Sequence, residues 1–199
     1  MQGAYGDLLG RYFELPSVPA LVMLPALKAP FVATRITCPP DQLGMKQEIP
    51  PEDAFVVTLH LVGVGHHELW MRGRPSVVRG YMPGAISIVD LRDEVASYLG
   101  SPLDALHFYV PRALVDAVTD AAGLARVSGI ACTPGLVDPV MGSLGAAVLA
   151  LIEGPQRASP AVSEHLAIAI CAHLVHRFGN HAMAGAAPAQ AARRPRRMH

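Results

Sequence analysis

Charge is scarce in this chain of 199 residues: only 16% are Asp, Glu, Lys or Arg, against 51% hydrophobic residues, which excludes a solvated, disordered chain. The two signs balance at 16 each, but four of the basic residues are Arg193, Arg194, Arg196 and Arg197. Residues 1–192 therefore hold 12 basic residues against 16 acidic ones, and the body lacks the positive face that phosphate neutralisation needs. Cysteine is equally sparse. Cys38, Cys132 and Cys171 lie far apart, which argues against a disulfide framework or a thiolate zinc site and fits a reducing cytoplasm. No apolar run is long: the most apolar window, PVMGSLGAAVLALI, falls short of a bilayer span. The first residues carry Asp7, Arg11 and Glu14 and show no secretory pattern, so a soluble, cytoplasmic protein without a membrane partner is expected.

Catalytic motifs are lacking too. There is no G-x-S-x-G elbow and no glycine-rich loop opening a helix, and the carboxylate pairs Glu52-Asp53 and Asp93-Glu94 fall in turns. On these grounds neither an enzyme nor a bound cofactor is expected, and no catalytic or metal-binding residue is assigned.

What is present is a change of texture along the chain. Residues 1–30, with four prolines, read as an irregular N-terminal arm with a short helix near Asp7–Tyr12. From 31 to 110 come seven runs of strand length: FVATRI, AFVVTLHLV, HELWM, SVVRGYM, AISIVDL, VASYL and ALHFYV, each bounded by Gly or Pro signals. Such spacing predicts a closed or double-sheet β architecture. From 111 to 179 the period becomes helical. Pro111 precedes RALVDAVTDAAG, Asp138-Pro139 opens a helix to Glu153, and Ser159-Pro160 opens another to Phe178. Residues 180–199 read as a disordered Ala/Arg-rich tail. The class is α+β: a β-barrel or double-sheet sandwich followed by about three helices.

Adjacent histidines open the stretch HHELWMRGRPSVVRGYM. Alternation along a strand sends His66 and His67 to opposite faces, and pairs His66 with Glu68. A metal-binding alternative would use His60, His66, Glu68 and His107; paired histidines at a strand start more often have no ligand role, so the stretch reads as strand, turn and strand. Alternation also places His60 with Val56 and Thr58, and His107 with Tyr109, leaving Phe55, Val57, Leu59, Leu106, Phe108 and Val110 as core. His60, Trp70, Tyr81, His107 and Tyr109 are the candidate ligand contacts.

The last helix is apolar all round from Leu166 to Ala172. Either it is buried between the barrel and another helix of its own chain, or it packs on the barrel with one stripe and on a second chain with the other. In the second case Leu166, Ile170 and Leu174 form one stripe and Ile168, Cys171 and Val175 its flank, with Leu166, Ile168, Ile170 and Leu174 as candidate dimer residues.

The order and spacing of PPEDAFVV, the ELW strand with its Gly-Arg turn, MPGAISIVDL and LHFYVPRALVD resemble the N-terminal effector-binding and dimerisation domain of AraC/XylS-family transcription regulators. The likeness covers about residues 5–179. It implies a cupin-like barrel followed by helices, a small organic effector, a homodimer whose interface includes the last helix, and usually no catalytic metal. In such regulators a DNA-binding domain with two helix-turn-helix motifs follows. This chain shows an Ala/Arg tail there instead, so sequence-specific DNA binding by it alone is not expected, and a mixed dimer with a full-length relative is the expected route to an output.

Overall fold

A computed structural model describes residues 3–23, 29–154 and 159–181. A short helix α1 (Gly6–Tyr12) leads to strands β1 (Ala20–Met23), β2 (Phe31–Cys38), β3 (Gly44–Met45), β4 (Ala54–His60), β5 (Val64–Met71), β6 (Arg74–Tyr81), β7 (Ala85–Asp90), β8 (Val95–Leu99) and β9 (Leu103–Pro111). Helix α2 (Arg112–Ala121), strands β10 (Val127–Ile130) and β11 (Leu136–Val137), helices α3 (Pro139–Glu153) and α4 (Pro160–Phe178) and strand β12 (Gly179–His181) complete it.

Two antiparallel sheets face each other. One has the order β1-β2-β9-β4-β7-β11 and the other β3-β8-β5-β6, with β10 and β12 forming a separate ribbon. The α+β class and the double-sheet barrel followed by helices are as expected, and each of the seven predicted runs contributes a strand. The β5–β6 hairpin closes at Arg72-Gly73, both in the left-handed region at φ 51° and 70°, the backbone of the tight turn read from MRGRP. The short strands β1, β3, β10, β11 and β12 were not foreseen, because pieces of two to four residues carry too little alternation to stand out from loops. The Ala/Arg tail expected after residue 180 falls, but for its first two residues, outside the described residues.

The larger sheet is covered on both faces. Every residue of β4 is buried. Phe55, Val57 and Leu59 join Leu106, Phe108 and Val110 of β9 under the helices, while Val56 belongs to a second core between the sheets with Ile36, Leu91, Val95 and Leu99. Helix α2 adds Leu114, Val115 and Val118 to the first core, and ends at Gly123 in a left-handed conformation. Asp138 caps α3, accepting the Met141 N–H at 2.8 Å, and its second oxygen lies 3.0 Å from His173 Nε2, which ties the start of α3 to α4. Helix α3 then approaches β4 at a glycine. A Cβ on Gly145 would stand 2.2 Å from Leu59 Cδ2, so a side chain there would force Leu59, itself buried in the core, to move. Gly145→Val is expected to cost about 1–3 kcal/mol through overpacking, read as a lower urea midpoint with an unchanged slope.

The placement of α4 corrects the two-stripe reading. Ala167, Ile170, Cys171, Leu174, Val175 and Phe178 are all buried within the chain, so Ile170 and Leu174 cannot meet a second chain. Both stripes point largely inward because α4 is packed among α2, α3, β1 and the β10–β12 ribbon. The residues left outward are Pro160, Ala161, Val162, His165, Ala169, Ala172, His176 and Arg177, with Leu166 and Ile168 half-buried at the flanks. Among the described residues no helix is long and apolar enough to cross a membrane.

Candidate functional site

The space between the two sheets closes around a cavity of about 50 Å³. Alternation along the strands decides what reaches it. β4 contributes Val56, Thr58 and His60 from the face opposite its helix-side core, as read from the sequence. β9 contributes His107, whose Cα is registered against Thr58, and β6 ends with Tyr81 at the rim. β5 supplies His67 and Leu69, and β7 and β8 add Ser87 and Ser97. Leu9 and Phe13, from α1 and the residue that ends it, add apolar side chains to the lining.

The aromatic rings are arranged as a wall. His60 stacks on Tyr81 with ring centres 4.1 Å apart and planes inclined by 13°, and His67 meets Tyr81 edge-on at 5.6 Å. His60 and His67 are 6.5 Å apart, and Phe13 presents an edge to His107 at 5.5 Å. Both ring nitrogens of His60, and Nδ1 of His67 and of His107, are buried without a hydrogen-bond partner among the described residues. Burial away from water, followed by mutual repulsion with neighbouring histidines, pushes His60 and His67 down to about 4 and His107 to about 3. At neutral pH the cluster is therefore uncharged, and each ring offers one N–H donor and one acceptor nitrogen. The Tyr81 hydroxyl is also held in its neutral form, its pKa raised by burial.

Of the five candidate contacts read from the sequence, His60, Tyr81 and His107 come together here. Trp70 and Tyr109 do not. Trp70 lies on the other face of β5, where its indole N–H donates to Glu68 Oε2 at 2.8 Å, and it borders a separate hollow with Lys46 and Glu94. Tyr109 shares the parity of His107 but sits beyond the cavity, its hydroxyl donating to Glu52 Oε2 at 3.0 Å and its ring against Tyr5.

The proposed metal quartet is likewise taken apart. His66 Nε2 lies 2.9 Å from Glu68 Oε1 on the outward face of β5, whereas His60 and His107 face the cavity. The histidine that joins them is His67, missed because attention to a His/Glu pair favoured its neighbour. Its signal was its parity with the apolar Leu69. The cavity set does not fit a metal centre of the kind a cupin barrel implies: among the described residues no three His, Cys, Asp or Glu side chains are grouped so as to hold an ion.

No protein-family model and no curated protein matches the chain. Solved structures do. A cupin 2 conserved barrel domain protein from Salinispora arenicola CNS-205 is similar at 13% identity and a TM-score of 0.35, over 52% of this chain and 84% of that one. A predicted oxalate decarboxylase from Thermotoga maritima is similar at 14% identity and a TM-score of 0.29, over 41% and 64%. KdgF from Halomonas sp. is similar at 11% identity and a TM-score of 0.33, over 48% and 80%. These comparisons correct the expectation that the chain is not an enzyme. A predicted decarboxylase stands among the similar structures, so the lack of nucleophile and phosphate motifs does not exclude catalysis. The correction withdraws an exclusion and assigns no reaction.

Proposed function

We propose that the chain is a ligand-sensing domain of the AraC type, in which the barrel binds a small organic effector and the helices carry a dimer contact. The observation that carries this reading is the grouping of His60, His67 and His107, four of whose ring nitrogens are buried without a partner among the described residues, around a mostly apolar cavity between the sheets. Buried polar nitrogens without partners are costly, and sites with an apolar lining and a few convergent polar groups are where small molecules bind. An occupant that accepts and donates hydrogen bonds there removes that cost.

The dimer contact is placed on the outward side of α4, with a second copy of this chain as its occupant. A shallow apolar hollow there is lined by Ala161, Val162, His165, Leu166 and Ala169, and small residues allow two helices to approach closely.

A thermal-shift screen of small metabolites tests the sensing role, since a ligand bound at about a hundred times its Kd adds about 2.7 kcal/mol to native-state stability. Hits are expected for the native chain and are expected to vanish in His60→Phe. Hits that survive this substitution would remove the cavity from the reading. In parallel, sedimentation is expected to show a concentration-dependent dimer that Ala169→Glu converts to a folded monomer. A native chain that stays monomeric at tens of micromolar, about where weak association begins to show, ends the dimer proposal.

A further inference from the structure

The charge content of the cavity narrows the class of ligand. Among the described residues, none that lines the cavity is Asp, Glu, Lys or Arg, and its titratable groups are three histidines and Tyr81. The buried cation near this end of the barrel, Lys46, lies outside the lining and is already paired with Glu14 at 2.9 Å. An anion or an ammonium ion placed between His60, His67 and His107 would therefore leave water without meeting an opposite charge, at a cost of several kcal/mol. The histidines do not supply that charge. They are mutually close and buried, and a proton on one opposes a proton on the next.

What the walls do supply is uncharged polarity on one side and hydrocarbon on the rest. His60 and His107 are 2% and 7% exposed, and the unpartnered nitrogens of both are buried beside the cavity. Thr58, Ser87 and Ser97 add hydroxyls, while Ile49, Val56, Leu91, Val95 and Leu103 are purely apolar. A volume of about 50 Å³ holds a few waters or a molecule of a few heavy atoms, and anything larger has to displace lining side chains.

We propose that the cavity selects a compact, uncharged molecule with an apolar body and a hydroxyl or carbonyl group, which is held by His60 and His107, and that it rejects carboxylates and amines of the same shape. This inference rests on the reading that the cavity is a ligand site. It goes further by naming what the ligand is chemically.

The test uses the full chain at about pH 7.5 and five probes: xenon, butan-2-ol, butan-2-one, butanoate and sec-butylammonium. Chemical shifts of the Val56, Leu91 and Val95 methyls and of the His60 and His107 rings are followed by titration. Xenon is expected to shift the methyls and leave the ring nitrogens alone. The alcohol and the ketone are expected to shift both, saturably, with apparent Kd values at least about tenfold below those of butanoate and the ammonium, a gap of about 1.4 kcal/mol. In His60→Phe and His107→Phe the preference for alcohol over the charged probes is expected to fall while xenon still enters.

Tighter binding of butanoate or of the ammonium than of the alcohol overturns the inference and leaves the ligand site standing. A response to xenon alone does the same, because it shows a cavity whose polar groups hold ordered water. Silence from all five probes removes the ligand-site reading together with the inference. Since the comparison among probes is made on the native chain, the result does not depend on either variant folding.

Discussion

Ile170→Glu is expected to unfold the protein, or to cost more than about 4 kcal/mol, a large part of the 5–15 kcal/mol typical of a domain. Ile170 has no exposed surface and is surrounded by the apolar core that α4 shares with α2, α3 and the larger sheet. A carboxylate there must either stay ionised without a partner or take up a proton, and each outcome is penalised. Loss of the isobutyl-sized side chain adds the cost of a poorly filled site. Ala169, one residue earlier, points outward, and Ala169→Glu is expected to leave the denaturation midpoint within about 0.5 kcal/mol of the native value. Circular dichroism during urea titration distinguishes the two. An Ile170→Glu protein with a native-like midpoint would contradict the packing of α4 described above. The contrast also separates folding from association, since only the outward substitution bears on the proposed dimer.

Acidification is expected to weaken the fold well before its carboxylates titrate. In the unfolded chain the three cavity histidines gain protons near the ordinary pKa of about 6.5, whereas in the folded chain they resist until about 4, 4 and 3. Below about pH 6.5 the unfolded state binds more protons, so stability falls as pH falls, until the folded-state values are passed. Each histidine that stays neutral at pH 5 removes about 2 kcal/mol relative to neutral pH. The three together correspond to a drop in Tm on the order of 10 °C or more between pH 7 and pH 5. His107→Phe is expected to flatten that dependence by removing the most strongly depressed of the three. Calorimetry across this range decides the matter, and a flat Tm from pH 7 to pH 5 would mean that the histidines are not buried as neutral rings. The stabilised carboxylates, such as Asp90 beside Arg92 and Arg112, act in a lower window, because their folded values lie below the ordinary carboxylate range.

Much of the barrel was legible because alternation is a local property. The parity of AFVVTLH separated Val56, Thr58 and His60 from Phe55, Val57 and Leu59 without reference to any other strand, and the same held for His107 against Leu106 and Phe108. Parity gives a face but not a height along the barrel, which is why Tyr109 was grouped with His107 and yet bonds to Glu52 beyond the cavity. On β5 the register with β6 shifts between Val64 and His67 and again between Leu69 and Trp70. Against β8 the strand keeps an unbroken register, and its alternation, with His67 and Leu69 inward and Glu68 and Trp70 outward, was readable; Trp70 was included for its aromatic type against its own parity. Helix α4 was illegible in another way: an all-apolar stretch says that several sides are covered and does not say by what. Of the covering elements, α3 immediately precedes α4, whereas α2 and β1 lie farther away in sequence, and no pattern within LAIAICA encodes any of them.

Strand β4 gives its two faces different tasks. His60 borders the cavity, and the adjacent Leu59 presses on α3 at the glycine that leaves it no slack. Between the wall of the cavity and the helical layer there is thus a single peptide unit. Cores are close-packed and stiff, so a displacement of that strand by a fraction of an ångström is not absorbed along the way. If an effector occupies the cavity as proposed, its push on the helices needs no relay of intermediate side chains, because the two contacts are made by consecutive residues.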